Sequence, residues 1–238
     1  MLIEVDENVV VTPLLRAFTE FDRFYHEERE KKLGFIRWLM KLDFPDGIEA
    51  YSDPFIYAIY YKKSPISAND AHTIAHEIMH LIRYQETDIL EIIPANPSVE
   101  PLIPILNSML EDPIVDKTLQ EQYNFDLCIP YREGIKYDIK NLKEESTDLD
   151  SILIKGINIT KFMLLWDLIT DQPALDEWHQ HLEWLETKYP HCYKIAMEIK
   201  PVVDSIGLGT IDQQREIVLK LIDMYNLGNM ISIPDPNI

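Results

Sequence analysis

Two histidines and a glutamate lie close together in the segment His76-Glu77-Ile78-Met79-His80. On a helix the imidazoles of His76 and His80 stand on one face, one turn apart. Zinc binds imidazole nitrogens at about 2.0–2.1 Å in a tetrahedral arrangement, and this spacing supplies two of its ligands. Glu77 follows the first histidine directly, so its carboxylate can face the open coordination position and accept a proton from water. The spacing therefore predicts a zinc (Zn2+) site with His76 and His80 as ligands and Glu77 as general base.

The segment around the motif has the pattern of a buried helix over residues 67–86. Ser67 and Asp70 have the spacing of a capping box, with Asp in place of the usual Glu. All other residues between 74 and 82 are apolar, so the three polar side chains of the motif must be paired or ligated. His72, one turn before His76, could join the site, but a partly exposed histidine near the start of the helix is the preferred interpretation.

This segment resembles the zincin metallopeptidases, specifically their gluzincin-like branch, over about residues 55–123. The metzincin extension is absent, because Leu81, Ile82 and Arg83 follow the motif with no glycine at the required position. The resemblance implies a small sheet packed on the motif helix and a peptide substrate. It also implies that the aromatic segment 54–61 is the edge strand to which an extended peptide adds.

The resemblance further implies an acidic third ligand from a later helix, followed four residues on by a polar residue that orients a ligand histidine. Asp112 and Asp116 have this spacing, whereas the residue four positions after Glu111 is a valine. Asp112 is therefore the preferred third ligand, and Asp116 is the residue expected to orient a ligand histidine. Glu111 stays open as the alternative, because Glu is the usual ligand in this branch and Pro113 can change the phase of the helix.

Composition and charge restrict the partners of the chain. It has 238 residues, 22 Lys and Arg against 41 Asp and Glu, and a net charge of −19. This charge argues against binding nucleic acid or an anionic membrane surface, and no run of about 18 apolar residues predicts a membrane span. The two cysteines, Cys128 and Cys192, are far apart and do not form a disulfide framework, so a cytoplasmic location is expected.

The hydrophobic pattern predicts an α+β protein that is mostly helical. The resemblance implies a small zincin-like sheet packed on the motif helix in residues 1–145, and a helical C-terminal extension follows in residues 146–238, either as a separate part or as one continuous domain with the first. Four prolines between residues 94 and 104 predict a rigid loop. After that loop, the pattern of residues 105–123 predicts a helix that Pro113 breaks or restarts. Further helices are predicted over about 151–170, 173–188, 191–205 and 210–227.

These patterns lead to one preferred function and two alternatives. The preferred function is a zinc-dependent metallopeptidase, a hydrolase that uses a metal-activated water and Glu77 on a peptide substrate. The first alternative is a zincin-fold binding or regulatory module that keeps its metal and cleaves little or nothing. The second is a structural helical protein in which the motif occurs by chance.

Overall fold

The computed structural model describes residues 2–41, 43, 49–62, 65–86, 89–95, 101–141 and 143–234. The fold is α+β and mostly helical, as the sequence predicts. In the part of the chain that is described, no helix is both long enough and apolar enough to cross a bilayer.

The elements occur in the following order. The first half contains β1 (Leu2–Val5), α1 (Glu7–Ala17), α2 (Thr19–Phe24), a π-helical turn (Tyr25–Arg29), α3 (Glu30–Lys32), β2 (Arg37–Lys41), β3 (Ala50–Asp53), β4 (Ala58–Tyr61) and α4 (Ala68–Gln85). The second half contains β5 (Ile93–Pro94), α5 (Leu102–Tyr123), α6 (Cys128–Lys140), α7 (Leu149–Trp166), α8 (Gln172–Lys188), α9 (Pro190–Ile206), α10 (Ile211–Tyr225) and β6 (Ile231–Ser232).

The larger sheet has four strands in the order β1-β2-β4-β3. Strand β4 runs parallel to β2 and antiparallel to β3, so it is hydrogen-bonded on both sides. The expectation that residues 54–61 form an edge strand is therefore wrong. Residues 54–57 form a turn in which Tyr57 has a φ of 48°, and β3 is the strand at this edge of the sheet.

The chain divides into two units by its contacts, and unit 1 consists of Met1–Thr87 and Val115–Lys140. Its core joins the sheet to helix α4, because Trp38 and Ile59 of the strands are buried in one cluster with Ile74 and Ile78 of the helix. The helix begins as the sequence predicts, with a capping box between Ser67 and the third helical residue. The packing of the sheet and the helix in one core fixes the motif helix within unit 1.

Unit 2 consists of Asp88–Ile114 and Asn141–Ile238. The predicted helices of the C-terminal part are present as α7, α8, α9 and α10, with bounds that differ by a few residues. Helices α7 and α9 approach closely at Gly156, where an added Cβ would lie 2.5 Å from the side chain of Ile195. The contacts group residues 88–114 with these helices, whereas the sequence-based division placed them with residues 1–145.

Helices α5 and α6 differ from the prediction. Helix α5 begins at Leu102 rather than at residue 105, and it continues through Pro113 without a break. Asp112 and Asp116 are therefore one uninterrupted turn apart on it. Helix α6 was not predicted, because it contains Pro130 and Gly134. Pro130 lies in the first turn, where the backbone N–H has no helical partner and proline is tolerated.

Candidate metal site

Helix α4 brings His76 and His80 together, as their spacing predicts. Their Nε2 atoms are 3.0 Å apart, and their ring centroids are 4.7 Å apart. No residue of α4 from Ala68 to Tyr84 is exposed, so the two imidazoles lie in largely buried surroundings. Two ring nitrogens at this distance, on one face of a rigid helix, fit ligands that converge on a single ion.

Asp116 of helix α5 fixes the orientation of the His76 ring. Its Oδ1 atom lies 2.7 Å from Nδ1 of His76. An ionised carboxylate only accepts hydrogen bonds, so Nδ1 of His76 must carry a proton. The lone pair of the neutral ring is then on Nε2, which is the atom that faces His80. A carboxylate on the far nitrogen of a ligand histidine sets this tautomer in metal sites generally.

Asp116 is itself enclosed by hydrogen-bond donors. The residue is 2 % exposed, His72 Nε2 lies 2.9 Å from its Oδ1, and the Tyr131 hydroxyl donates to its Oδ2 at 2.7 Å. Burial disfavours the charged form, but the attraction of His72 and His76 and their hydrogen bonds outweigh it. The pKa of this carboxyl therefore lies well below its usual range, and Asp116 is a carboxylate at neutral pH.

Glu77 is half-buried on α4, next to the histidine pair in sequence. Within the described part of the chain, its carboxylate has neither a hydrogen-bond partner nor an ion-pair partner. Structural carboxylates on largely buried helices are normally paired. A carboxylate that no described residue engages is suited to accept a proton from a bound molecule.

The two acids predicted as third ligand belong to the part of α5 that lies in unit 2. Glu111 is 4 % exposed, and its carboxylate accepts a hydrogen bond at 2.8 Å from the amide of Gln214. Asp112 accepts a hydrogen bond from Ser108 and lies 3.3 Å from Nζ of Lys161. Glu111 is thus engaged by a neutral amide and Asp112 by a hydroxyl and a cation, and the ligand role of either acid stays a prediction.

Peptide hydrolysis would also need a donor to the oxyanion, and the sequence offers Tyr123, His179, His181 and His191 without choosing among them. The hydroxyl of Tyr123 donates to Glu28 at 2.7 Å within unit 1. Burial raises the pKa of Tyr123 above its ordinary value, with Glu28 adding to the effect. His179, His181 and His191 lie on α8 and α9 of unit 2.

Sequence reasoning did not assign two residues of this cluster to the site, His72 and Tyr131. His72 is 6 % exposed, so the expectation of a partly exposed histidine is wrong. Its i−4 spacing from His76 had left a place in the site open as the alternative, and the spacing alone could not show that the ring is buried. Tyr131 had no such signal, because its helix was not predicted and its partner Asp116 is fifteen residues away.

A second arrangement in unit 1 could also hold a cation. His72, His76 and Asp116 offer ligand atoms that lie within 4.8 Å of one another. However, the distances from Asp116 Oδ1 to the two ring nitrogens, 2.9 and 2.7 Å, are those of ordinary hydrogen bonds. The cluster is therefore complete without an ion at that position. The Nε2 atoms of His76 and His80 are also within hydrogen-bond distance of each other, but Nε2 of His76 keeps its lone pair for an ion, since the proton of that ring is on Nδ1 and is bound by Asp116.

Comparisons of the chain with models of known protein families, with curated proteins and with solved structures find no match.

Proposed function

We propose that the protein is a zinc-dependent metallopeptidase whose metal is bound by His76 and His80. One observation carries the proposal. The Nε2 atoms of the two histidines are 3.0 Å apart on a buried helix, and a carboxylate on Nδ1 of His76 directs the lone pair of that ring toward His80. A purely structural role does not account for two adjacent imidazoles beside a glutamate that has no partner among the described residues, whereas a catalytic metal site uses all three.

The side chains of unit 1 have distinct roles in the proposed reaction. When bound, zinc would lower the pKa of a water molecule and polarise the scissile carbonyl. Glu77 would accept a proton from that water and then donate it to the leaving amine. Its lack of a partner among the described residues supports this role. Asp116 would hold His76 in the tautomer and orientation that ligation requires.

Asp112 remains the acid that we propose as third ligand. It precedes Asp116 by one turn of the uninterrupted helix α5, so the two side chains lie along the same side of that helix. Glu111 has Val115 four positions later, which cannot orient a histidine, and both acids have partners within unit 2. The continuity of α5 through Pro113 supports the phase argument that favours Asp112 over Glu111.

We propose that the substrate is an extended peptide. Strand β3 is at the edge of the sheet in unit 1 and lies beside α4, so its outer side is where a peptide could add as a further strand. The net charge of −19 argues against a nucleic-acid substrate. The two free cysteines support our proposal of a reducing compartment such as the cytoplasm.

Hydrolysis of a mixed fluorogenic peptide library by the purified, zinc-loaded full chain tests this function. We expect cleavage that is lost in His76→Ala together with the metal, and lost in Glu77→Gln with the metal retained. Metal binding by the wild type without any cleavage would instead support a binding module of the same fold. Cleavage that survives in Glu77→Gln would contradict the proposed mechanism.

A further inference from the structure

The carboxylate that orients His76 must itself be held in place. A carboxylate with one partner can rotate about its Cβ–Cγ bond, and the ring that it orients then rotates with it. In unit 1 both oxygens of Asp116 have partners from other helices, since His72 of α4 bonds Oδ1 and Tyr131 of α6 bonds Oδ2. The plane of the carboxylate is therefore set by donors on two different elements.

The donors are as firmly placed as the carboxylate. His72 is 6 % exposed, and its ring makes an edge contact with Phe125 at a centroid distance of 6.2 Å. Tyr131 is also 6 % exposed. A buried donor that has lost its contact with water cannot leave its acceptor without a large penalty. The carboxylate of Asp116 on α5 is thus held by buried donors from α4 and α6, and not by surface contacts.

The hydrogen bond from His72 to Asp116 prevents Nε2 of His72 from acting as a metal ligand in the proposed site. Its Nε2 must carry a proton to bond the carboxylate of Asp116, and a protonated ring nitrogen has no lone pair for a metal. The His72 and His76 ring centroids are 5.8 Å apart, so the two rings are neighbours that share one acceptor. The three histidines at positions 72, 76 and 80 therefore have two different roles. His76 and His80 are the proposed metal ligands, and His72 holds the carboxylate of Asp116.

We infer that His72 and Tyr131 are positioning residues of the metal site, which act on His76 through Asp116. This inference rests on the proposed function, because it assigns His76 as a ligand. It adds that metal affinity depends on two residues that do not touch the metal. The effect passes from His72 and Tyr131 to the carboxylate, and from the carboxylate to the ring of His76.

The chain offers a matched control for this inference. Tyr123 and Tyr131 are both buried tyrosines of unit 1, and each hydroxyl donates to a carboxylate at 2.7 Å. The acceptor of Tyr123 is Glu28, which among the described residues is bonded to Tyr123 and Lys32 and not to a motif histidine. Tyr123→Phe and Tyr131→Phe therefore remove the same chemical group from similar surroundings, and only Tyr131→Phe removes it from Asp116.

The experiment is a Co2+ and Zn2+ titration of the full chain, followed by the absorption spectrum of the Co2+ form and by competition with a chromophoric chelator. We expect Tyr131→Phe and His72→Leu to weaken metal binding by about tenfold, the lower end of the range for residues behind a ligand. Their Co2+ spectra should differ from that of the wild type, because the ring of His76 is no longer held. Tyr123→Phe should match the wild type in both measurements.

His72→Gln serves as the conservative variant, because its amide nitrogen reaches about as far from the backbone as Nε2 of histidine. It should recover most of the affinity lost in His72→Leu. If His72→Leu does not fold, the inference is tested with Tyr131→Phe and His72→Gln. Tyr131→Phe must then weaken metal binding for the inference to stand.

Each other outcome overturns a defined part of the reasoning. Wild-type affinity and spectrum in Tyr131→Phe and His72→Leu, with binding lost in His76→Ala, would overturn this inference and leave the proposed function intact. Binding that is lost in His72→Leu but kept in His80→Ala would show that His72 is a ligand, at the alternative position beside Asp116. A wild type that binds neither metal would overturn the inference and the proposed function together.

Discussion

The replacement of Asp116 by asparagine tests whether this carboxylate holds the ring of His76 in place beside His80. Its carboxylate accepts three hydrogen bonds, from His72, His76 and Tyr131. Hydrogen bonds to a charged group are worth about 1.5–3 kcal/mol each and neutral ones about 0.5–1.5 kcal/mol. Asparagine keeps the shape, loses the charge and has an NH2 donor in place of one acceptor oxygen. The two bonds to its remaining oxygen lose about 1 kcal/mol each and the bond from Tyr131 loses its acceptor, so the total loss is about 3 kcal/mol. We also expect zinc affinity to fall about 10- to 100-fold.

The pH dependence of this effect follows from the direction of the pKa shift. The pKa of Asp116 is lowered in the folded protein, so its stabilisation is complete above the unfolded pKa, about 3.9. It is lost as the pH falls through the folded pKa. The difference in stability between the wild type and Asp116→Asn should therefore be largest above about pH 5 and shrink in more acidic solution.

Hydrogen exchange measured on peptides from α4 is the appropriate assay, because it reports the local opening of unit 1. Asp126→Asn is the matched control, since Asp126 is exposed and accepts a bond from the backbone N–H of Cys128. We expect faster exchange across α4 in Asp116→Asn and exchange close to that of the wild type in the control. Unchanged exchange together with unchanged zinc affinity in Asp116→Asn would refute the reasoning.

Three further predictions concern other side chains. Glu77→Gln should lower peptide hydrolysis about 10²- to 10⁴-fold in a fluorogenic assay while zinc stays bound, and full activity would exclude Glu77 as the general base. Asp112→Ala should lose zinc in a chelator competition whereas Glu111→Ala keeps it, and the reverse result would make Glu111 the ligand. Burial raises the pKa of the Cys192 thiol to about 12, so little thiolate forms at pH 8. Cys192 should therefore react with a disulfide reagent far more slowly than the half-buried Cys128, and equal rates in the folded protein would contradict this.

The sequence was informative where one local pattern determined the structure. The apolar spacing and the capping box predicted helix α4 within a residue at each end, since helix ends depend on neighbouring side chains. The resulting helix necessarily placed His76 and His80 on one face. The continuous course of α5 could not be predicted, because Pro113 disfavours a helix interior and only tertiary packing compensates for that cost.

The contacts of His72 and Tyr131 with Asp116 could not be predicted for a different reason. His72 and Asp116 are 44 residues apart, and their contact depends on how helices pack rather than on any local period. Tyr131 lies on a helix whose proline and glycine concealed it. Residues 54–61 show the same limit for strands, since aromatic and β-branched composition indicates a strand but not its place in the sheet.

The metal content of the purified full chain, made without a histidine tag, tests the central claim most directly. Elemental analysis of the wild type should give about one zinc per chain, and both His76→Ala and His80→Ala should contain none. His181→Ala, which removes a buried histidine of unit 2, should keep its zinc. A wild type that holds no metal after zinc is added and the excess is dialysed away would contradict the account.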